Sequence, residues 1–355
     1  MKRTNTVTHA WLRHMVQAGF LVFCILLGLE FRRFVLSLEA APGNPIAWRP
    51  PAVEAFLPIS ALMSFVQLVR TGVADRVHPA GLVIFTAALA SSFLFKRGFC
   101  SWVCPIGTLS EMAHPAGKRL LGRNLRLPVW PDRILRSAKY LLLGFFLYSI
   151  LRMSPEVLHR FLNGAYNRMA DVKMYLFFAQ ISLTAFVVLA VLTVLSVLVK
   201  NFWCRYLCPY GALLGIVSLA SPMGWKRDPT LCDGCGRCDR ACPNRVRVST
   251  ASVVRSEECT ACFGCGDVCP REGALRFGAH EAQVSFGART YAALMVAAFV
   301  FVPHLFSALG YWQTEQPPAM FRGLYHMVHQ IEHPRGGNLM DMPPVPPEIG
   351  RPPER

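Results

Sequence analysis

Eight cysteines between residues 232 and 269 repeat one spacing, CxxCxxCxxxCP, twice. The first copy contains Cys232, Cys235, Cys238 and Cys242, and the second contains Cys259, Cys262, Cys265 and Cys269. In such runs the first three cysteines bind one [4Fe-4S] cluster, while the fourth, which precedes a proline, binds the neighbouring cluster. The spacing therefore predicts two clusters with crossed fourth ligands, in a protein that moves electrons. The predicted ligand sets are Cys232, Cys235, Cys238 and Cys269 for cluster 1, and Cys259, Cys262, Cys265 and Cys242 for cluster 2.

Four-cysteine zinc sites are the alternative, because CxxC pairs also bind Zn²⁺. A tetrahedral zinc site has no use for a repeated fourth cysteine followed by proline, so we favour clusters. The sequence contains neither CxxCH for covalent haem nor GxGxxG for a dinucleotide.

A second cysteine motif, CxxxCP, also occurs twice. Residues 95–107 read FKRGFCSWVCPIG and residues 199–211 read VKNFWCRYLCPYG. The motif cysteines, here called the corner cysteines, are Cys100, Cys104, Cys204 and Cys208. Their i, i+4 spacing puts two thiols on one helical face if the preceding helix continues through them, and the proline then starts a new element or kinks the old one. Four thiols could hold a further metal centre, form a redox disulfide or only pack, and the sequence leaves these three alternatives open.

Long apolar stretches predict a membrane protein. Of the 355 residues 53% are apolar and 16% charged, whereas about a quarter of the residues in soluble domains are charged. Crossing a bilayer takes about 17 to 25 apolar residues. Five stretches qualify, namely 15–31, 79–95, 137–153, 174–199 and 290–309. A sixth stretch, 55–69, is shorter and contains Pro58, so we expect a re-entrant or interfacial helix there.

Lys and Arg counts predict the orientation. Residues 96–139 contain nine Lys and Arg, and residues 32–78 contain five. The positive-inside rule therefore places the loop at 96–139 in the cytoplasm. Twelve of the thirteen cysteines then lie in cytoplasmic segments, and Cys24 lies in the first span, as thiols in a reducing compartment should. We expect a multi-pass protein of the bacterial inner membrane, with cytoplasmic clusters and a periplasmic tail. The net charge of +16 follows from the cytoplasmic loops, and no nucleic-acid partner is predicted.

The predicted fold is an all-α membrane bundle of about five spans with an inserted small α+β ferredoxin domain. Its regions are a membrane domain, 1–225, with both corners; a two-cluster ferredoxin domain, 226–286; a final span, 287–310; and an exterior proline-rich tail, 311–355. Within the ferredoxin domain, residues 246–248, 252–254 and 274–277 are expected to pair as hairpins. The domain's many arginines could face an acidic soluble partner or lipid headgroups.

Several histidines lie near the predicted membrane boundaries. His78 and His304 could take a proton from quinol, although interfacial capping is the simpler interpretation. In the tail, His326, His329 and His333 could bind copper, but we favour a solvated amphipathic helix.

Apolar spans, the two corners FCSWVCPIG and FWCRYLCPYGALLG, and a following double CxxCxxCxxxCP run together resemble the membrane polyferredoxin family. That family includes NapH, NosR-type regulators, MauN-type proteins and CcoG-type accessory proteins, and the chain looks closest to NapH or to YccM-like proteins. The resemblance implies cytoplasmic clusters that exchange electrons with the membrane quinone pool, with quinol as substrate, or with a redox protein partner. The chain would then be an electron carrier or a component of a quinol dehydrogenase. The alternative is a CcoG-like accessory factor for assembly or metal handling of a respiratory complex.

Overall fold

The structure is a computed structural model that describes residues 10–41, 43–122, 125, 127–280 and 284–333. The chain falls into two compact units. Unit 1 comprises Met1–Phe23, Ala87–Gly144 and Val187–Val300, and unit 2 comprises Cys24–Thr86, Phe145–Phe186 and Phe301–Arg355.

Helices dominate the described residues. The α-helices are α1 Ala10–Glu39, α2 Pro58–Thr71, α3 Pro79–Phe95, α4 Phe99–Trp102, α5 Pro105–Leu121, α6 Val129–Leu151, α7 Pro155–Asn163, α8 Ala165–Arg168, α9 Ala170–Ala179, α10 Leu183–Leu198, α11 Pro209–Leu219, α12 Arg237–Ala241, α13 Gly264–Asp267, α14 Ala288–Ala308 and α15 Pro318–Tyr325. A 3₁₀ helix covers Pro51–Phe56 and a π-helix covers Trp203–Leu207. The strands are β1 Met223–Arg227 and β2 Leu275–Ala279.

All five predicted spans fall largely on helices. By length and composition, α6 and α14 can each cross a membrane, and a third crossing exists if α9 and α10 form one broken span. We expected one uninterrupted helix over 174–199, and the structure instead bends this pair by 83°. Gln180 leaves helical geometry, and the Ser182 hydroxyl accepts a hydrogen bond from the Ala185 amide as α10 begins. Among the described helices the structure thus supports two to three crossings, and the count of five stays a prediction.

The sixth apolar stretch lies on α2. Pro58 occupies the first position of this helix, where its missing N–H has no intrahelical partner, so it starts the helix and does not interrupt it. Gly72 ends α2 in the left-handed conformation. With 14 residues, α2 is about 21 Å long, which is shorter than the hydrocarbon core of about 30 Å. A re-entrant or interfacial position therefore remains our prediction.

The ferredoxin region contains one antiparallel pair of strands, β1 and β2, with Trp225 opposite Phe277. The expected strand at 274–277 is present, but its partner is β1, which begins before the predicted domain boundary. Residues 252–254 contribute only a bridge between Val253 and Lys226.

The expectation of a strand at 246–248 was wrong. The Val248 amide donates to the Asp239 carboxylate at 2.6 Å, and the Val246 amide donates to Cys242 Sγ at 3.3 Å. These local acceptors take the hydrogen bonds that a strand partner would need.

Each unit has its own apolar core. In unit 1, five aromatic rings pack together, those of Trp102, Trp225, Phe263, Phe277 and Tyr291. In unit 2, side chains of α1, α8, α9 and α15 pack together. The unit 1 core links the first cysteine corner to the ferredoxin region.

Candidate iron–sulfur site

Two cavities separate the eight ferredoxin cysteines into two groups. The cluster-1 cavity is lined by Cys232, Cys235, Cys238 and Cys269. The cluster-2 cavity is lined by Cys242, Cys259, Cys262 and Cys265. In each cavity, three closely spaced cysteines meet the fourth cysteine of the other run.

The loops around the two cavities share one backbone conformation. Gly234 and Gly236 of the first run have positive φ, and so do Ala261 and Phe263 at the equivalent positions of the second run. Positive φ is costly for residues with a side chain. In the second run, contacts offset that cost, because Phe263 is packed among aromatic rings and the Ala261 carbonyl accepts a side-chain hydrogen bond.

The two cavities differ in exposure and charge. In the cluster-1 cavity Cys235 is exposed, and Arg227, Arg237 and Arg271 line the wall. In the cluster-2 cavity the thiols are less accessible, and burial raises the pKa of Cys259 to about 11. The cluster-1 cavity is therefore the more exposed of the two.

The cysteine geometry suits multi-iron clusters better than single ions. Within the described part of the chain, no three His, Cys, Asp or Glu side chains converge on a point where one metal ion would be held. A cubane separates its four thiolate ligands by its own width, whereas zinc draws them into one tetrahedron. Four thiols spread around each cavity therefore fit a cluster.

The first corner is a break between helices. Helix α3 ends at Phe95, Lys96 has a φ of 64°, and the short helix α4 then carries Cys100. Cys104 is extended, and Pro105 is the first residue of α5. Cys100 and Cys104 thus do not share the face of one continuing helix, but the proline does start a new element, as one of the two alternatives predicted.

The second corner repeats this arrangement. Asn201 has a φ of 56°, Cys204 lies in the π-helix, and Cys208 is extended immediately before Pro209 starts α11. Cys208 Sγ accepts a hydrogen bond from the Gly211 amide at 3.2 Å. The second cysteine of each corner therefore stands at the N-cap position of a helix, where the dipole favours negative charge, and only the Cys208 side chain accepts a capping hydrogen bond.

The four corner cysteines share one environment; all four are free and half-buried. Burial, together with neighbouring thiols, raises the pKa of Cys100 to about 11 and that of Cys104 to about 12, although the Arg97 charge acts to lower the pKa of Cys100. Cys204 likewise lies close enough to the other three for their charges to raise its pKa. The structure thus brings together the four thiols that the repeat singled out.

A buried ionic triad, Arg97, Lys139 and Glu258, lies beside these thiols. Glu258 pairs with Lys139 at 2.5 Å and with Arg97 at 3.5 Å. Burial alone would raise the pKa of Glu258, but the two cations outweigh it and lower that pKa. Because all three side chains are nearly inaccessible to solvent, two cations face one carboxylate and leave a formal charge of +1.

Arg97 also has an unsatisfied donor. Its Nη1 donates to the Gly211 carbonyl at 3.0 Å, while its buried Nε–H has no hydrogen-bond partner. Its charge interacts with the thiols of Cys100, Cys204 and Cys208. The sequence analysis did not single out Arg97, and its place two residues after α3, three before the first corner cysteine, is the only local signal.

Side chains of the first corner bind the cluster-2 loop directly. Ser101 Oγ donates to the Thr260 carbonyl at 2.6 Å, and Trp102 Nε1 donates to the Ala261 carbonyl at 3.0 Å. Both carbonyls lie between two cysteines of the cluster-2 cavity. We call this pair of hydrogen bonds the latch. No sequence pattern predicted the latch, although Ser101 and Trp102 lie between the two corner cysteines.

Tyr291 of α14 supports the same contact. Its hydroxyl donates to the Phe95 carbonyl at 2.8 Å, and its ring packs against Trp102 and Phe263. A Cβ at Gly98 would lie 1.9 Å from the Tyr291 hydroxyl oxygen, so this close approach requires glycine.

His78 lies in a buried polar network of unit 2. Its Nε2–H donates to the Asn167 carbonyl at 2.6 Å, and its Nδ1 lies 3.5 Å from Glu54. Arg49 bridges Glu54 at 2.9 Å and Asp171 at 2.7 Å. The residue is thus part of a satisfied internal network, whereas His304 lies exposed on α14.

The tail histidines do not share a helix. Helix α15 ends at Tyr325, before His326, and it buries Phe321 and Leu324 in the unit 2 core. His333 packs on the ring of Tyr166, with centroids 4.8 Å apart. The expected helix through the three histidines is therefore absent, whereas all three histidines are exposed, as expected for a solvated face. The proline-rich end of the tail lies outside the described residues.

Comparison with known proteins gives the family. The chain is 36% identical over 327 residues to the putative electron transport protein YccM of Escherichia coli, covering 90% of this chain and 91% of that protein. It belongs to the membrane polyferredoxin family. Other relatives within this family are the protein NirI of Paracoccus denitrificans, 29% identical over 69% of this chain and 37% of NirI, and the ferredoxin-type protein NapH of Escherichia coli, 26% identical over 59% of this chain and 71% of NapH.

Two family models also match this polyferredoxin. A 4Fe-4S dicluster domain matches residues 224–270, and a 4Fe-4S binding domain matches residues 77–128 and 181–227. The only cysteines within residues 77–128 and 181–227, which the 4Fe-4S binding domain matches, are the four corner cysteines. No solved structure gives a significant match. The chain is therefore an iron–sulfur protein of the electron-transport type, and its apolar helices indicate a membrane protein.

Proposed function

We propose that this polyferredoxin transfers electrons between the membrane quinone pool and a redox protein partner, through two [4Fe-4S] clusters. Cluster 1 would be held by Cys232, Cys235, Cys238 and Cys269, and cluster 2 by Cys259, Cys262, Cys265 and Cys242. Each cluster supplies one-electron redox chemistry when bound. The observation that carries the proposal is that these two crossed cysteine sets line two separate cavities.

The corner cysteines are proposed to hold a further iron–sulfur centre. Four half-buried thiols, two helix N-termini and the +1 charge of the ionic triad favour an anionic group. The matching 4Fe-4S binding domain supports iron and sulfide as its composition. A disulfide or simple packing would leave the excess buried positive charge unexplained.

The contacts suggest an order for the centres. The latch ties the corner to the cluster-2 loop, whereas the exposed Cys235 and three arginines lie at the cluster-1 cavity. We therefore place cluster 2 between the corner centre and cluster 1. An acidic redox protein is the partner that the arginine-lined wall would attract. Lipid headgroups are the other anionic surface, and a soluble acidic carrier that accepts electrons in the absence of lipid would favour the protein.

For localisation, we propose the bacterial inner membrane with cytoplasmic clusters and a periplasmic tail. The support is the Lys and Arg bias of the loops and the placement of the cysteines.

Iron and acid-labile sulfide analysis of the purified full-length protein tests the cofactor content. With about four irons per cubane, the ferredoxin cavities should hold about eight and the corner about four more. Zinc without labile sulfide would refute the cluster assignment. A total of eight would refute the corner centre alone.

Electron paramagnetic resonance (EPR) during titration with quinol tests the function. Cys104→Ala or Cys208→Ala should slow reduction by quinol and leave the cluster-1 and cluster-2 signals intact, while Cys24→Ala on α1 serves as control. Unchanged electron flow in a variant lacking all four corner thiols would favour simple packing. Reduction by soluble donors, but never by quinol, would favour the accessory-factor alternative.

A further inference from the structure

We propose that Arg97 is a positioning residue for the corner centre, which it also connects electrostatically to cluster 2. Its Nε–H would donate a hydrogen bond to the anionic centre, while its two Nη groups contact Gly211 and Glu258. This inference rests on the proposed corner centre and adds the residue that sets its redox properties.

The hydrogen bonds of Arg97 indicate a missing acceptor. A guanidinium has five N–H donors in a rigid fork, and Arg97 is only 3% exposed. One arm reaches the Gly211 carbonyl at the start of α11, and another reaches Glu258. The Nε–H remains buried and unpaired, although buried polar groups are nearly always paired. Because Arg97 interacts with the charges of three corner thiols, a group bound by those thiols would lie within its reach.

The local charge points the same way. Arg97 and Lys139 bring two buried cations to the single carboxylate of Glu258. Burying an uncompensated charge is costly, so an anion should complete the site. An iron–sulfur core held by four thiolates carries a net negative charge and meets this requirement.

A second buried arginine near the corner has a different environment. Arg205, in the π-helix, binds Asp132 through two hydrogen bonds of 2.9 and 2.8 Å. Asp132 also pairs with Arg136 and Arg245, and Arg205 Nη1 has no hydrogen-bond partner. Arg205 thus resembles Arg97 in burial and in having an unpaired donor, but its carboxylate partner is Asp132 and not Glu258. In the sequence repeat, Asn201 occupies the position of Arg97, so the centre has one arginine and not two. Arg205 is therefore a matched control for a buried arginine that is not directed at the thiols.

Glu258 makes the connection to cluster 2. It immediately precedes Cys259 in the chain, and its carboxylate binds Arg97. A change in charge at Arg97 should therefore act strongly on the corner centre, weakly on cluster 2 and not measurably on cluster 1.

The test is a redox titration of the full-length protein in detergent, followed by EPR, with R97Q, R97K and R205K. A cation stabilises the reduced, more negative form of the centre. R97Q should therefore lower the equilibrium constant for reduction of the corner centre at least tenfold. For one electron this lowers the midpoint potential by about 59 mV. R97K, which keeps the charge and loses the Nε–H, should give a smaller shift in the same direction. R205K and the cluster-1 signal should not move.

Two outcomes would overturn the inference. One is an unchanged midpoint of the corner centre in both R97Q and R97K, and the other is an equal shift in R205K. R97Q could lose the corner centre while both ferredoxin signals remain. In that case R97K and K139Q are the test, because each should keep the corner centre and lower its midpoint potential. Absence of that shift would also overturn the inference. A wild-type iron content of eight would instead refute the corner centre itself, before any variant is made.

Discussion

The latch makes a quantitative prediction for Trp102→Phe. Trp102 is fully buried, and its indole N–H is the donor to the Ala261 carbonyl in the cluster-2 loop. Phenylalanine keeps an aromatic ring among Phe263 and Tyr291 but has no donor. The substitution should therefore weaken the attachment of this loop without removing a cluster ligand.

The expected size follows from the lost bond. Leaving a buried carbonyl unpaired costs about 1–3 kcal/mol. Through the Boltzmann factor this cost raises the equilibrium constant for local opening of the loop about 5- to 150-fold. The smaller ring also leaves a cavity, which adds to the destabilisation. The positive φ angles of Ala261 and Phe263 are strained, so opening of the loop also releases this strain.

Loss of iron to a ferrous chelator measures this opening. In Trp102→Phe the cluster-2 EPR signal should decay about 5- to 150-fold faster than in the wild type, and the cluster-1 signal should decay at the wild-type rate. Trp130→Phe on α6 is the control, because Trp130 is 71% exposed. Equal acceleration of both clusters, or wild-type decay of cluster 2, would refute the role of the latch.

Three further predictions concern the ligands, unit 2 and the tail. Cys242→Ser should alter the EPR signal of cluster 2, and Cys269→Ser that of cluster 1; effects confined to each residue's own run would contradict the crossed assignment. Burial lowers the pKa of His78, but the Glu54 carboxylate outweighs burial and raises it. Protonated His78 thus stabilises the fold below the unfolded pKa of about 6.5, and this contribution disappears as pH rises through the folded pKa. Thermal unfolding across pH should therefore show His78→Gln losing most stability near about pH 6 and less at higher pH, and a pH-independent difference would argue against a charged His78. Alkaline phosphatase fused after Arg355 should be active and a green fluorescent protein fusion dark, whereas the reverse pattern would place the tail in the cytoplasm.

The cysteine geometry was the most predictable part of the site. The cysteine spacing predicted two sets of four ferredoxin cysteines, and the same two sets line the two cavities. This was possible because ligand spacing is a local property of the loops. The repeat also selected the four thiols that share the corner. By contrast, the latch and Arg97 depend on contacts between distant segments, such as Arg97 with Gly211, which lies 114 residues later. No local pattern encodes such a pair.

The errors in secondary structure have local causes. Strand β1 begins at Met223, three residues before the predicted domain boundary at residue 226, so pairing expected only within 226–286 missed the partner of β2. The apolar residues at 246–248 suit a strand, but the Asp239 carboxylate and Cys242 thiol capture their amides. The hydropathy of residues 174–199 likewise did not indicate the break at Gln180, because one polar residue barely changes the mean hydropathy of the stretch.

The pairing of β1 with β2 has a consequence for how such a chain can be built. Met223 pairs with Ala279, so the ferredoxin segment leaves the end of α11 and returns towards α14 at neighbouring positions. Paired residues in antiparallel strands are about 5 Å apart, a gap that a tight turn closes. The cluster-bearing segment therefore has the form of a cassette, whose gain or loss by gene insertion leaves the order and direction of the flanking helices intact. An exchange at Met223 and Ala279 for another ferredoxin with adjacent ends would keep these helices connected, but it would remove the latch and the ion pairs of Glu258.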